Sequence, residues 1–544
     1  MRGALNFINR YTDISKKKII IHVLVAGLSY AFILGMVNKA IGGDTISNEP
    51  RLFIMLLLQV ALHLYSKKTY MNITSILSGE IIDKIRVDII GKIRFSELRF
   101  IESVGKGEIY NRLTEETGNI YRTAPTFPMA GEGIVSFVAI FIYMMFISPI
   151  GAMLMVLLVV LGVIAYTLAS IPAKRKLAAS RSKEVELLEK LNDVLSGFKE
   201  IKINYKKNED LFADYKAIAK EAEKLKSVAM TTFNDTFLLV NVSFLCLIGV
   251  IIFWLPLTDL IENEEVVSLV ASLLFLWGPM MMAFAVMPQY FMVSVSIANI
   301  EELNALIDNF ELDIPEKVPE APDFESINLN SLEFRYAGKN GEVLFQLGPL
   351  DFSVKKGEVV FIVGGNGSGK STLMTLLTGL YYPEQGTIDL DQRIVTRQDY
   401  SAYRELFSTI FTDFYIFKKL YGLDDIDANE VNDLLWKMGL EKKTEYVNKQ
   451  FTHTNLSNGQ RKRIAYISAL LENKPIYVFD EWAADQDPEF RKIFYNRFIE
   501  DMRVMGKTVI AVSHDDRYFN TADRIIKMDE GKIVPAEEMK SVFE

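Results

Sequence analysis

The sequence predicts a chain of two domains of different class, an all-α domain of six membrane-spanning helices followed by a soluble α/β domain. Three observations carry this. At 544 residues the chain exceeds what one compact core holds. Nearly all of its long uncharged runs fall before residue 300, whereas the part after residue 308 mixes charges of both signs. That later part contains EVVFIVGGNGSGKSTLMTLLTGL, an apolar strand, a glycine loop and an amphipathic helix in that order.

Composition removes several function classes before any motif is read. A formal net charge of −9 argues against a nucleic-acid partner, because phosphate binding needs a basic face. The single cysteine, Cys246, rules out an intrachain disulfide, and there is neither a CxxC pair nor a His/Cys cluster for a metal. Cys246 lies in an apolar run and is expected to be a buried, inert thiol. The first apolar run follows Lys16, Lys17 and Lys18, is too long for a signal-peptide core and lacks an A-x-A-like site, so it reads as an anchor that stays.

A helix crossing about 30 Å of hydrocarbon needs about 20 mostly apolar residues. Residues 19–41 meet this, and residues 52–71 do so less cleanly, because Lys67 and Lys68 near the end would have to snorkel to the interface. Residues 133–173 carry no charge and have Ser148-Pro149 near the middle, so they read as two spans in a tight hairpin. Residues 236–257 and 266–288 bring the expected count to six. Lys and Arg in the flanks place the N-terminal lysines and the segments 72–123 and 174–226 inside, with the acidic connections GGDTISNEP and TDLIENEE outside. Both termini are then cytoplasmic. The two inside segments are long and have helical apolar spacing, so the spans are expected to continue as cytoplasmic helices whose tips touch another domain. Met280, Met281, Met282, Met287 and Met292 on the last span offer either an adaptable cavity lining or ordinary packing. Gly278-Pro279 and Pro288 are expected to kink that helix.

The domains are read as residues 1–307 in the membrane part, 308–325 as a linker rich in Pro and acids, and 326–544 as the α/β part. In the latter, Gly364, Gly369, Lys370 and Ser371 fit G-x-x-x-x-G-K-[ST] in the strand-loop-helix setting that motif requires. Such a loop turns backbone N–H groups inward on phosphate oxygens, and the helix N-terminus adds partial positive charge. Asn366, Gly367, Ser368 and Thr372 complete the expected ATP cradle, Lys370 neutralises the β- and γ-phosphates, and Ser371 ligates Mg²⁺. KPIYVFDE ends a buried-strand pattern in two acids at the edge where parallel sheets bind ligands. Asp480 is expected in the Mg²⁺ shell and Glu481 as the base for the attacking water. KTVIAVSHDD presents His514 at the end of another strand, placed for the γ-phosphate, and Tyr336 in LEFRY either stacks on adenine or packs in its strand.

With NLSNGQRKR at 455–463 between the glycine loop and the acids, the whole chain resembles the ATP-binding cassette (ABC) exporters. The resemblance implies a type IV exporter fold with a P-loop nucleotide-binding domain and ATP hydrolysis coupled to transport. It also implies a homodimer, because in that family the signature of one subunit closes on the ATP held by the other. Ser457, Asn458, Gly459 and Gln460 would then meet the γ-phosphate across the interface. Asn458 stands where the family usually has Gly, a residue tolerant of left-handed angles. Thr412, with Asp413 beside it, stands at the usual glutamine position, and threonine is too short to copy that reach. DEWAADQD replaces DEPTSALD, with Trp482 in the proline position and Asp487 aligned with a dimer-contacting aspartate. FDEWAADQDPEFR looks like the branch linked to cyclic, non-ribosomal or lasso-type microcin peptides and siderophore precursors. The expected cargo is therefore a peptide or peptide-derived siderophore leaving through a bacterial inner membrane. A lipid or hydrophobic-drug exporter and a non-transporting nucleotide sensor are the rival readings.

Overall fold

The computed structural model describes residues 16–41, 50–258, 263–310, 313–315, 317–338 and 342–534. The chain forms two compact units, Met1–Asp88 with Tyr110–Leu303 and Ile89–Ile109 with Asn304–Glu544.

Long helices make the first unit: Lys16–Ile41, Pro50–Ile93, Thr126–Ile147, Pro149–Ser196, Tyr205–Gly249 and Asn263–Asp308, the second and last of which run on into the other unit. At 48 residues, Pro149–Ser196 is roughly 70 Å long, more than twice a bilayer core. Among the described residues, Lys17–Ala40, Lys106–Ile147, Tyr205–Thr258 and Glu265–Met282 are long and apolar enough to cross a membrane, and Pro149–Ala165 is a shorter apolar helix. The uncharged run 133–173 divides at Ser148, whose extended backbone ends one helix while its side chain accepts from Gly151 N at 3.4 Å to begin the next. Pro149 follows at the first helical position, where its missing N–H has no intrahelical partner to lose.

Many large apolar side chains on these helices face outward, Phe146 at 86% and Phe253 at 77% exposure among them. Such a surface suits hydrocarbon and not water. Cys246 shares that outward face: it is exposed, which corrects the expectation of a buried thiol. The helix Tyr205–Gly249 has buried faces at Val240, Phe244 and Leu247, and Cys246 falls between them on the opposite side. Inside the unit, Met280 joins a core with Phe244, Leu273 and Leu276, and Met281 packs against it, so these two are packing residues. The side chains of Met287 and Pro288 lie outside the described residues. Helical structure runs unbroken through Gly278 and Pro279.

Among the described residues, one carboxylate is buried in this unit. Glu132, 7% exposed, accepts from Tyr70 Oη, with Lys67 Nζ at 3.5 Å and His63 Nε2 at 3.8 Å. Lys67 thus turns toward a partner instead of serving only as a snorkelling cation.

The second unit holds strands β1 Ser326–Ala337, β2 Val343–Lys355, β3 Val359–Gly364, β4 Gln385–Leu390, β5 Arg393–Ile394, β6 Phe407–Ile410, β7 Tyr446–Val447, β8 Gln450–Phe451, β9 Ile476–Asp480, β10 Thr508–Val512, β11 Arg524–Asp529 and β12 Lys532–Ile533. An antiparallel sheet runs β2-β1-β4-β5, and a six-stranded sheet runs β12-β11-β3-β10-β9-β6, parallel except at β12. Every residue of β9 and β10 is buried, as expected for parallel strands covered on both faces. The short helix Leu98–Val104 belongs to this unit as well. Its Phe100 ring lies 5.7 Å from that of Phe310, Glu102 accepts from Tyr381 Oη at 2.6 Å, and the Arg99 guanidinium covers the Phe334 ring at 4.9 Å.

Candidate functional site

Strand order decides which loops meet. β3, β10, β9 and β6 are parallel neighbours, so the residues that follow each of them gather at one edge of the sheet, where α/β proteins hold ligands. The register pairs Val512 with Ile362 and Asp480, and Ile410 with Phe479. The glycine loop after β3, His514 after β10, Asp480 and Glu481 at the end of β9, and Thr412 after β6 are therefore brought together.

The glycine loop is shaped by close backbone approach. A side chain on Gly364, at φ +153°, would meet Met528 O at 2.3 Å, and one on Gly369, at φ +98°, would meet Leu347 at 2.8 Å. Gly369 opens the helix Lys370–Leu377, directing its first N–H groups at the loop. Lys370 is 6% exposed, and its ammonium donates to Gly364 O at 3.0 Å and Gly365 O at 2.8 Å. Asn366 and Gly367 are exposed at the loop tip, whereas Ser368 and Thr372 are buried.

Asp480 is 2% exposed. Burial pushes its carboxyl up, against hydrogen bonds from Ser371 and Thr412 that lower it. The Thr412 hydroxyl lies 3.1 Å from Asp480 Oδ2, so it is Thr412 that reaches this carboxylate, with Asp413 exposed on the next residue. Asp480 Oδ1 and Ser368 Oγ are buried without a hydrogen-bond partner among the described residues. Unpaired oxygens beside a buried lysine and Ser371 are the donor set that a phosphate-bound Mg²⁺ satisfies, since Mg²⁺ takes one or two protein oxygens and draws the rest from phosphates and water. Thr412→Ala leaves Asp480 with one hydrogen bond fewer. The expected result is a midpoint about 10- to 100-fold higher in Mg²⁺ concentration in a metal titration of ATP hydrolysis. An unchanged midpoint would remove Thr412 from the metal's surroundings.

Glu481 follows with φ +52°, a left-handed conformation that costs a side-chain-bearing residue about 1–2 kcal/mol. The turn aims its carboxylate at His514, with Oε1 3.2 Å from Nε2. Tyr336 is half-buried: its hydroxyl donates to that of Tyr381 at 3.2 Å, and its ring meets Phe334 edge-on at 5.2 Å. It packs among Phe334, Phe345 and Tyr381 and remains partly exposed.

The stretch 457–460 is the start of the helix Asn458–Glu472. Ser457 caps it, accepting from Gln460 N at 3.5 Å while Gln460 Oε1 accepts from Ser457 N at 3.3 Å, a reciprocal capping box. Asn458 is thereby held in the first helical turn, and its tolerance of left-handed angles is not used. A side chain on Gly459 would meet Asp485 O at 2.7 Å, which explains the glycine. Asp487 caps the helix Pro488–Ile493, accepting from Phe490 N at 3.0 Å, and pairs with Arg463 at 2.7 Å. The Phe490 N–H, and then Arg463, hold its carboxyl below the usual range.

Sequence reading missed Lys462, which is 2% exposed and bonded to both Glu481 O and Asp485. It stands in the charged run RKR, whose composition reads as surface.

Comparison with known proteins agrees with this layout. Residues 347–484 match the model described as "ABC transporter", and residues 19–284 match "ABC transporter transmembrane region". ATP-binding protein SyrD of Pseudomonas syringae pv. syringae is 29% identical over 539 residues, covering 94% of this chain and 92% of that protein. Energy-coupling factor transporter ATP-binding protein EcfA1 of Mycoplasma genitalium is 35% identical over 206 residues, 36% of this chain and 74% of its own length. The solved structure of a bacterial Atm1-family ABC exporter with ATP bound aligns with a TM-score of 0.76 at 17% identity, covering 100% of this chain and 96% of that one. At that identity the likeness speaks for the fold.

Proposed function

The chain belongs to the ABC transporters, multi-pass membrane proteins that couple ATP hydrolysis to transport, and on that premise we propose that it is an exporter of a peptide or peptide-derived siderophore. The observation that carries the reading is the convergence of Lys370, Asp480, Glu481 and His514 at one sheet edge, in a chain that also holds membrane-length apolar helices. A nucleotide sensor has no need of a hydrolytic set. In this reading six spans carry the cargo across a bacterial inner membrane, with both termini in the cytoplasm.

The site residues then take defined roles. The loop from Gly364 to Thr372 holds the phosphates, with Lys370 offsetting their charge and the partly exposed Tyr336 meeting adenine. Ser371 and Asp480 would hold Mg²⁺, with Thr412 behind them; when bound, that ion neutralises charge on the β- and γ-phosphates. Glu481 accepts a proton from the attacking water, and His514 steadies the Glu481 carboxylate and the γ-phosphate side. One signature per chain calls for a second copy. Ser457, Asn458, Gly459 and Gln460 present a helix N-terminus suited to a partner's γ-phosphate, and Asp487 lies near that face. Closure of two nucleotide units around two ATP molecules then favours one transport state over the other.

Support for a peptide cargo comes from the FDEWAADQDPEFR run. Met280 and Met281 on the last long helix are packing residues and lend no support to a drug or lipid cavity. Inside-out vesicles containing the protein test the proposal. ATP, but not a non-hydrolysable analogue, should drive uptake of a labelled macrocyclic peptide. Uptake of lipid or dye with no peptide uptake would overturn the cargo, and no ATP-dependent uptake of any compound would overturn export.

A further inference from the structure

We propose that Lys462 is a positioning residue for hydrolysis: its ammonium grips the Glu481 main chain and so fixes where the Glu481 carboxylate points. The inference rests on the reading of Glu481 as the base.

Lys462 is among the largest fully buried side chains of the chain, at 2% exposure. A buried ammonium is costly unless its charge and its donors are matched. Both are matched here by the segment that follows the two acids: Glu481 O accepts at 2.7 Å, and Asp485 Oδ2 pairs at 2.9 Å. The same segment grips back, since the Trp482 indole N–H donates to Lys462 O at 2.8 Å. Trp482 is itself 1% exposed, with its ring 4.5 Å from Phe494 and 5.6 Å from Tyr466. Three residues of DEWAAD, Glu481, Trp482 and Asp485, thus close round one lysine of the helix Asn458–Glu472.

Glu481 needs such a hold. Its left-handed backbone, φ +52° and ψ +36°, is unfavourable for a residue with a side chain, and it persists when neighbours over-determine it. The other donor to its carbonyl, Ala484 N–H, is at 3.3 Å, longer than the lysine contact. Without the ammonium the peptide is free to rotate toward right-handed angles, carrying the carboxylate away from His514. A second tie joins the same two elements: Gln486 Nε2 donates to Gly459 O at 3.0 Å and Arg463 Nε to Gln486 Oε1 at 3.0 Å. Trp482, Asp485 and Gln486 are places where this chain departs from the usual DEPTSALD, and all three contact the signature helix. The departures form one set.

The test measures kcat and KM for ATP in the full-length protein carrying Lys462→Met, which keeps the apolar stem and removes the ammonium. A small misplacement of a catalytic group costs about 10²-fold, so kcat should fall by about that factor with KM changed less than about 3-fold. In a Glu481→Gln background, measured in single turnover, the same change should add less than about 2-fold, because residues acting through one group are not additive. Lys462→Gln, which restores a donor, should recover part of the loss. A Met variant with wild-type kcat, a loss carried by KM, or a full further loss in the Glu481→Gln background would each overturn the proposal. Should the Met variant fail to fold, Lys462→Gln decides by the same split, wild-type kcat overturning it. Failure of the base reading is seen separately, as wild-type turnover in Glu481→Gln alone.

Discussion

Glu481→Gln is expected to lower steady-state ATP turnover by about 10²- to 10⁴-fold while leaving ATP bound. The substitution keeps the shape of the side chain, so the turn at φ +52° and the contact to His514 at 3.2 Å have no steric reason to change. What is removed is basicity. A carboxylate oxygen accepts the proton of an attacking water, whereas the amide oxygen that replaces it does not at neutral pH. Lys370, Ser371 and Asp480, which would hold the phosphates and the metal, are untouched, and nucleotide should accumulate on the protein with its γ-phosphate intact. Phosphate release and the ATP-to-ADP ratio of protein-bound nucleotide read the two effects apart. Turnover within 3-fold of wild type would assign the base elsewhere.

Much of the architecture could be read from residue order. The uncharged run 133–173 divides at Ser148-Pro149 because a serine cap and a proline at the first helical position are local signals that need no tertiary partner. β3 and β9 were visible as continuous apolar runs ending in a glycine loop and in two acids. What escaped depends on distant contacts. Nothing in the spacing of residues 89–109 tells that Glu102 accepts from Tyr381 or that Phe100 meets Phe310, and so assigns the segment to the second unit. Cys246 misled because hydropathy says that a residue is apolar, not which face of a membrane helix it occupies. Glu132 sits just outside an uncharged run, and its partners lie more than sixty positions away on another helix.

The site shows the same division. Motif spacing locates Lys370, Asp480, Glu481 and His514 because loop and strand-edge chemistry is local. The contacts of Thr412 and Lys462 are not local: strand order brings Thr412 to Asp480, and packing of the helix Asn458–Glu472 brings Lys462 to the Glu481 main chain. Trp482 was legible as a departure and illegible as a mechanism. Its indole donates to a backbone carbonyl on another helix, and side-chain chemistry alone names no such partner.

Lys370→Met should abolish nucleotide binding at concentrations that saturate the wild type, in contrast to the base variant, which keeps it. Hydrogen bonds from a charged donor contribute about 1.5–3 kcal/mol each, and every 1.4 kcal/mol is tenfold in affinity. An ammonium that serves two phosphates therefore stands for about 10²-fold or more in the dissociation constant for ATP. The fold itself has little at stake. Among the described residues the ammonium donates to the Gly364 and Gly365 carbonyls, Gly365 is exposed so that water can replace the donor, and the methionine stem fills the buried space of the lysine. Burial raises the nearby Asp480 carboxyl and the cation lowers it, so this group can take up a proton once that charge is gone. Thermal unfolding within a few degrees of wild type, together with loss of a fluorescent ATP analogue's binding signal, is the expected pair of results. Binding within 3-fold of wild type would deny the glycine loop its phosphate role, and with it the premise on which Glu481 and Lys462 are assigned.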